Sequence, residues 1–360
     1  MKNIAISTGG SGGHVVPATI FHEHLKDKFN IYMTSDERGI RFLDKGKYNI
    51  KIINVPQISK NIFLLPFQIF SLLGLILKSL IFLKSKKIEM LISTGGYMSL
   101  PLCVASKILN IKLFLFEPNM VLGRTNKLFL NSCFKIFCYS NKIKKFPSNS
   151  YNKISLIPAL LRKSFYSIKI KKYMIENINL LIIGGSQGAK LFDNIIHESI
   201  IKISQKYKLK IYQQTNFENY KKLKDFYLKY NIENELFDFD DNLSDFMNKS
   251  NLCITRAGAS TLAELVFLNL PHLVIPLPSA KDNHQFENAF FYQQLGFNWI
   301  LNQNEINNEN ITDKLFSIIE NKEEYLDKKN NMKNFNYQNT WNNINQKIIT
   351  TINENRISKN

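Results

Sequence analysis

The chain has 360 residues, 44% of them hydrophobic, and a formal net charge of +18. That length favours two domains over one, and that apolar content excludes a disordered chain. The charge is mostly lysine and fits either an anionic partner or a drift toward Lys, Asn and Ile, but no basic run interleaves with aromatics as a single-strand binder requires.

Asn3–Ser7 (NIAIS) reads as a first strand, and Thr8–Ala18 (TGGSGGHVVPA) follows it as a glycine loop. The short apolar start leads straight into that loop and does not read as a signal peptide. A helix is expected over Pro17–Phe29, with the proline in its first turn. Further strands are expected within Asn30–Ser35, Lys51–Pro56, Met90–Gly96, Lys112–Asn119 and Lys135–Ser140, with helices over Met98–Asn110 and Gly123–Ser132. The pattern restarts at Ile178–Ile203 as strand, glycine turn and helix. Later strands fall in Lys210–Thr215, Leu236–Phe239, Leu252–Ser260 and Leu273–Pro278. Strands alternating with helices predict α/β domains, each a doubly wound parallel sheet covered on both faces. The expected division is 1–158, a lysine-rich linker 159–177, a second domain 178–335, and a polar tail 336–360 that carries a helix. Cys103, Cys133, Cys138 and Cys253 lie mostly in apolar runs without metal spacing, which suits buried thiols and a reducing cytoplasm.

Asn61–Lys87 stands apart, because only Lys78 is charged between Ile62 and Leu83. Its hydropathy is that of a membrane span, yet it sits between two strands of one sheet and is interrupted by Pro66, Gly74 and Lys78. The expectation is a helix packed on the sheet by one face and apolar on the other, bordered by Lys78, Lys84, Lys86 and Lys87. Such a patch suits a bilayer surface with anionic lipid. The alternative is an ordinary, very apolar core helix.

Four stretches carry candidate chemistry. The first loop is neither GxGxxG nor a P-loop. It reads as a turn whose backbone N–H groups meet an anion at a helix N-terminus, with His14 at its end placed to take a proton near neutral pH. A lone histidine is more commonly a cap or core residue, but not directly after such a loop. Gly184–Ala189 (GGSQGA) opens the second helix series, and Ser186 and Gln187 suit a phosphate. In Thr255–Pro278 a loop of small residues starts a helix with Glu264 in its second turn, where a carboxylate suits ribose hydroxyls; otherwise Glu264 is a solvated charge. In Lys281–Ala289, Gln285 and Asn288 share one helical face suited to sugar hydroxyls.

These stretches, with Ser93–Pro101 (STGGYMSLP) and Phe116–Lys127 (FEPNMVLGRTNK), resemble in order and spacing the MurG family of UDP-N-acetylglucosamine transferases, which complete the lipid-linked peptidoglycan precursor. The resemblance implies a GT-B fold, with two Rossmann-like domains facing across a cleft. It gives the lipid acceptor and the membrane to the first domain and the UDP-sugar to the second. The last helix is expected to return to the first domain. Carried over by motif, Gly185, Ser186 and Gln187 face the donor diphosphate. Ala259, Ser260, Thr261 and Leu262 line the nucleotide, Glu264 holds the ribose, and Gln285 and Asn288 contact the sugar. Ser11, Gly12, Gly13, Asn119 and Arg162 are further donor-side residues, although the opening loop also suits the diphosphate of the acceptor. His14, Tyr97 and Asn126 belong to the acceptor side, and His14 and Glu117 to catalysis.

The implied reaction moves GlcNAc from UDP-GlcNAc to the 4-hydroxyl of undecaprenyl-diphosphate-MurNAc-peptide, lipid I, with inversion and with His14 as general base. The implied setting is the cytoplasmic face of the inner membrane, peripherally bound to anionic lipid. No cofactor, metal or nucleic acid is implied. Four departures stand out: Ser11 where Thr is usual, Pro118 within Glu117–Asn119, Ile157–Arg162 lacking the usual Asn with Arg162 one residue late, and Phe239–Leu243 (FDDNL) in place of a Phe-Ile-Asp-Asp-Met loop. Asp238 and Asp240 spell a DxD, read here as turn and cap chemistry and not as a metal site. The alternatives are a UDP-sugar 2-epimerase, which needs no lipid acceptor, and a basic non-enzyme associated with membrane or nucleic acid.

Overall fold

The computed structural model describes residues 1–56, 63, 65–170, 177–184, 189–238 and 243–354. They form two compact units, Met1–Arg162 with Trp341–Asn360, and Lys163–Thr340.

The first unit is built on β1 (Asn3–Ser7), β2 (Asn30–Ser35), β3 (Ile50–Ile52), β4 (Met90–Ser93), β5 (Lys112–Glu117), β6 (Lys135–Cys138) and β7 (Ile154–Leu156). The sheet is parallel throughout, in the order β3-β2-β1-β4-β5-β6-β7. Parallel strands are covered on both faces, so β4 is buried at every residue and β5 at all but its first. The chain leaves β1 for β2 on one side and later returns to β4 on the other. That places a topological switch point at the carboxyl ends of β1 and β4, with Ser7 in register with Ser93.

The second unit repeats the scheme with β8 (Ile178–Ile183), β9 (Leu209–Gln214), β10 (Glu233–Phe237), β11 (Leu252–Thr255), β12 (His272–Val274) and β13 (Asn298–Ile300). Its order is β10-β9-β8-β11-β12-β13, again parallel, with the switch point between β8 and β11. Sequence periodicity does not reveal β7 or β13, because each is three residues long at a sheet edge.

One element starts earlier than expected. The first helix spans Gly12–Leu25, so Pro17 lies inside it and not in its first turn. Two glycines and His14 precede the proline as helical residues, and the N–H groups of His14 and Val15 already bond to Ser11 O. The imidazole therefore sits on the helix's first turn.

The last helix, Trp341–Asn353, belongs to the first unit. The Trp341 ring stacks on His24 at 3.7 Å, Asn345 donates to His24 O, and Thr351 meets Ser155. The apolar segment forms a helix over Leu65–Ser85, and residues 57–62 and 64 lie outside the described residues. Ser79, Phe82 and Leu83 bury against the sheet side. Phe67 (75% exposed), Phe70 (73%), Leu73, Leu77 and Ile81 stand outward at spacings of three and four, one stripe of the helix. By length and composition Pro66–Ser85 is apolar enough to cross a membrane; only 17% of an 18-residue window within it is buried, and the buried part packs into the first unit's core.

Candidate functional site

The carboxyl edge of the first sheet is held by side chains that the motif reading does not contain. Ser11 caps the Gly12–Leu25 helix in extended conformation without a side-chain bond, and no acid occupies the first turn. The first N–H groups, at the positive end of the helix dipole, thus remain without a side-chain cap. Gly10 N–H donates to Asp36 Oδ1 at 2.7 Å, Gly39 N–H to the same oxygen at 2.9 Å, and Arg38 Nε to Oδ2 at 2.8 Å. Burial alone would raise the Asp36 pKa, but the Gly10 N–H, the Arg38 guanidinium and the Gly39 N–H together hold it below the ordinary value. Arg38 Nη2 then donates to the Tyr97 hydroxyl, so one ion pair joins the first loop to the turn after β4. A Cβ at Gly39 would lie 2.9 Å from Gly9 Cα, which is why glycine stands there.

His14 lies against that second turn. Its Nδ1 is 2.8 Å from Thr94 O. A carbonyl only accepts, so Nδ1 carries the hydrogen and Nε2 the lone pair, the tautomer a general base needs. Gly95 and Gly96 have φ of +89° and +76°, and a Cβ on Gly96 would come within 3.3 Å of His14 Cδ2 and Nε2. A side chain there would be strained and would displace the ring.

Glu117 ends β5, one strand further on. Its Oε1 accepts from Asn119 N–H (3.1 Å) and Asn119 Nδ2 (3.0 Å), and its Oε2 from Gly123 N–H (2.7 Å) and Asn126 Nδ2 (2.9 Å). Burial raises its pKa and these four donors oppose the rise. Both oxygens are thus used in shaping the loop Pro118–Asn126. Asn126 Nδ2 also donates to Phe116 O, so the amide orientation is fixed. Its Oδ1, on a side chain only 3% exposed, has no hydrogen-bond partner. An unpaired buried acceptor costs roughly 1–3 kcal/mol, which a ligand hydroxyl would recover. Asn126 lies beside the imidazole, since both approach the Cβ position of Gly95.

The second unit's edge is built differently. Gly185, Ser186 and Gln187 lie outside the described residues, as do Phe239 and Asp240 of the FDDNL and DxD stretches; Asp238 is exposed. The helix Ala259–Phe267 starts at Gly258 with no side-chain cap and no acid in its first turn. Ala259, Ser260 and Thr261 are half-buried and Leu262 is fully buried. Glu264 is buried, which removes its reading as a solvated charge. Gln285 Oε1 accepts from Leu277 N–H (2.9 Å) and Ala257 N–H (3.3 Å), which turns its NH₂ group away from them. Asn288 Nδ2 donates to Ala257 O at 3.1 Å. These two amides stitch the helix His284–Gln294 to the strand ends, after a turn in which Asp282 and Asn283 both adopt positive φ. Arg162 is half-buried at the end of the first unit's main segment.

Sequence reasoning missed Asp36 and Arg38. Asp36–Gly39 carries a local signal, an aspartate leading a short turn that ends in glycine. Its link to Gly10 and Tyr97 is tertiary.

Two switch-point crevices with helix N-termini open to anions are the architecture of a two-domain glycosyltransferase. The comparisons specify which. The glycosyltransferase family 28 N-terminal domain matches residues 4–138 and its C-terminal domain residues 179–344. The chain is 62% identical to the UDP-N-acetylglucosamine–N-acetylmuramyl-(pentapeptide) pyrophosphoryl-undecaprenol N-acetylglucosamine transferase of Pelagibacter ubique, over 98% of this chain and 99% of that one. It is 35% identical to the protein of the same name from Rickettsia felis, over 89% and 92%. The crystal structure of Acinetobacter baumannii MurG superposes with a TM-score of 0.77 at 22% identity, covering 98% and 99%. The UDP-GlcNAc 2-epimerase of Neisseria meningitidis shares the fold alone, with a TM-score of 0.65 at 15% identity. The chain belongs to the MurG family.

Proposed function

We propose that this chain transfers GlcNAc from UDP-GlcNAc to the 4-hydroxyl of lipid I, giving lipid II, and that His14 is the base that takes the hydroxyl's proton. The observation that carries the base assignment is the Nδ1–Thr94 O bond, which leaves the lone pair on Nε2. General-base assistance of this kind contributes on the order of 10²–10⁴-fold. Asn126 Oδ1, buried and unpartnered, accepts from an acceptor hydroxyl. Glu117 acts through Asn126 and Asn119, not on the sugar, because its oxygens are already filled. The Asp36–Arg38 pair holds the glycine loop so that its N–H groups receive the acceptor diphosphate. Tyr97 is held to Arg38 on the same side.

On the donor side, Gly185, Ser186 and Gln187 receive the UDP diphosphate and Glu264 the ribose. The Gln285 NH₂ donates to the sugar and Asn288 fixes that helix. Ala259–Leu262 line the nucleotide. The leaving UDP needs fixed positive potential, and N–H groups at helix starts supply it.

The exposed stripe of Phe67, Phe70, Leu73, Leu77 and Ile81, with exposed Lys78, Lys84, Lys86 and Lys87 nearby, supports peripheral binding to an anionic bilayer at the cytoplasmic face, where the lipid acceptor resides.

Product analysis tests the reading. Incubation with UDP-GlcNAc and a short-chain lipid I analogue is expected to give the β-1,4 disaccharide and UDP. UDP-GlcNAc alone is expected to stay unchanged. Conversion of the sugar at C2 without acceptor would favour an epimerase instead.

A further inference from the structure

The charge of the first unit is unevenly spread. From Pro118 to Pro147 the chain has no aspartate or glutamate, yet it carries Arg124, Lys127, Lys135, Lys142, Lys144 and Lys145. Lys135 starts β6, at the amino edge of the sheet. The other five lie in the loop and helix that follow β5 and in the loop that follows β6, which leave the carboxyl edge. Those two loops are stitched together. Lys144 N–H donates to Met120 O at 2.8 Å and Leu122 N–H to Lys144 O at 3.0 Å, around a parallel bridge between Val121 and Lys144. Ile143 and Phe146 are buried in the first unit's core, and that anchoring leaves Lys142, Lys144 and Lys145 exposed beside them. On the helix Arg124–Phe129, Asn126 and Phe129 are buried, so Arg124 and Lys127 stand outward. A surface of one sign with no acid in its own sequence is complementary to an anionic partner.

Its place indicates which anion. Asn126, on the same loop and helix, lies beside His14. The turn after β4 holds His14, and β6 is two strands further on, about 10 Å at the usual strand spacing. The acceptor proposed above carries a pentapeptide on its muramoyl sugar, joined through the lactyl ether at C3, next to the 4-hydroxyl that reacts. Five extended residues reach at most about 18 Å, so a peptide that starts near His14 can span the cluster. A peptide chain ends in a carboxylate, ionised at neutral pH. A bilayer is favoured less, because Pro118–Pro147 exposes one large apolar side chain, Leu128, in place of the apolar stripe on the Leu65–Ser85 helix.

We infer that Arg124, Lys127, Lys142, Lys144 and Lys145 form a subsite for the carboxylates of the acceptor's peptide, and that this subsite sets affinity for the acceptor and not the rate of transfer. The inference rests on the acceptor reading above. Each of these contacts is exposed, therefore small and screened by salt, so two charges are removed at once in the test.

The test compares two soluble short-chain acceptors without vesicles, one with the pentapeptide and one whose lactyl carboxyl is capped as a simple amide. In Lys142→Gln with Lys144→Gln, KM for the peptide acceptor is expected to rise about 3- to 10-fold at low salt, with kcat within about 2-fold. Both constants for the capped acceptor are expected to stay within about 2-fold of wild type. Equal changes for the two acceptors, or none for either, would overturn the inference. So would a loss confined to sedimentation with anionic vesicles, which would give the cluster to the bilayer. A second readout uses wild type alone. Amidating the carboxylates of the peptide acceptor is expected to raise its KM by a similar factor, and a KM indifferent to amidation would also overturn the inference. If wild type used neither acceptor, the acceptor reading itself would fail, and this outcome is separable from the others.

Discussion

The carboxyl edge of the first sheet and strand β12 of the second each hold an imidazole whose Nδ1 lies 2.8 Å from a backbone carbonyl, Thr94 O for His14 and Leu270 O for His272. The tautomer is the same, with Nε2 carrying the lone pair in both. The surroundings differ. His14 is half-buried on the first turn of a helix, between two glycine loops and beside the Asn126 amide. His272 is fully buried, its Nε2 meets no partner, and burial pushes its pKa down to about 4. The same hydrogen bond thus sets the tautomer of an imidazole at the edge of a sheet, where we propose that it takes a proton, and of one that stays neutral inside a sheet. Access and neighbours decide the role, and the residue type does not.

The contrast can be broken at its strongest point first. His14→Ala is expected to lower kcat by about 10²–10⁴-fold with UDP affinity unchanged, read by turnover and calorimetry on the same preparation. Next comes the buried histidine. Its unfolded pKa is near 6.5 and its folded value about 4, so the unfolded state binds the extra proton between those values. Stability is complete above pH 6.5 and falls as the pH drops toward 4, by about 2 kcal/mol at pH 5. Urea titrations at pH 8 and pH 5 should show a smaller pH dependence in His272→Gln than in wild type; an unchanged dependence would place the titration elsewhere. Asp36→Asn should then cost about 10-fold in kcat, because the amide pairs less strongly with Arg38 and with the Gly10 N–H, while UDP affinity holds. The smallest effect on the folded protein is at the apolar stripe. Leu73→Asp with Leu77→Asp should leave the midpoint of thermal unfolding within about 2 °C, since both are exposed, yet weaken sedimentation with anionic vesicles.

The sequence made visible what repeats and what is local. The two strand–glycine–helix beginnings, the parallel sheets and the exposed stripe of the Leu65–Ser85 helix follow from periodicity and from glycine placement. The place of His14 between the two glycine loops was legible only in part: its position after the first loop is read from the sequence, and its contact with Thr94 O is tertiary. The Asp36–Arg38–Tyr97 link was not, because its partners are 26 to 59 residues apart and meet only once β1, β2 and β4 are side by side. Glu117 was read as catalytic from its place in the motif, and only the filled hydrogen bonds of its two oxygens show what it holds. Pro17 misled in the other direction, because its preference for a first turn was outweighed by a helix that begins at Gly12.

The most direct test of the account is single-turnover transfer of labelled GlcNAc from UDP-GlcNAc to a short-chain lipid I analogue, by wild type and His14→Ala at equal occupancy by donor. The expected result is disaccharide from wild type and a rate lower by at least about 100-fold in the variant, with the same UDP affinity. Transfer by His14→Ala within a few-fold of wild type would contradict the assignment of the base. No transfer by a wild-type chain that binds UDP would contradict the proposed acceptor.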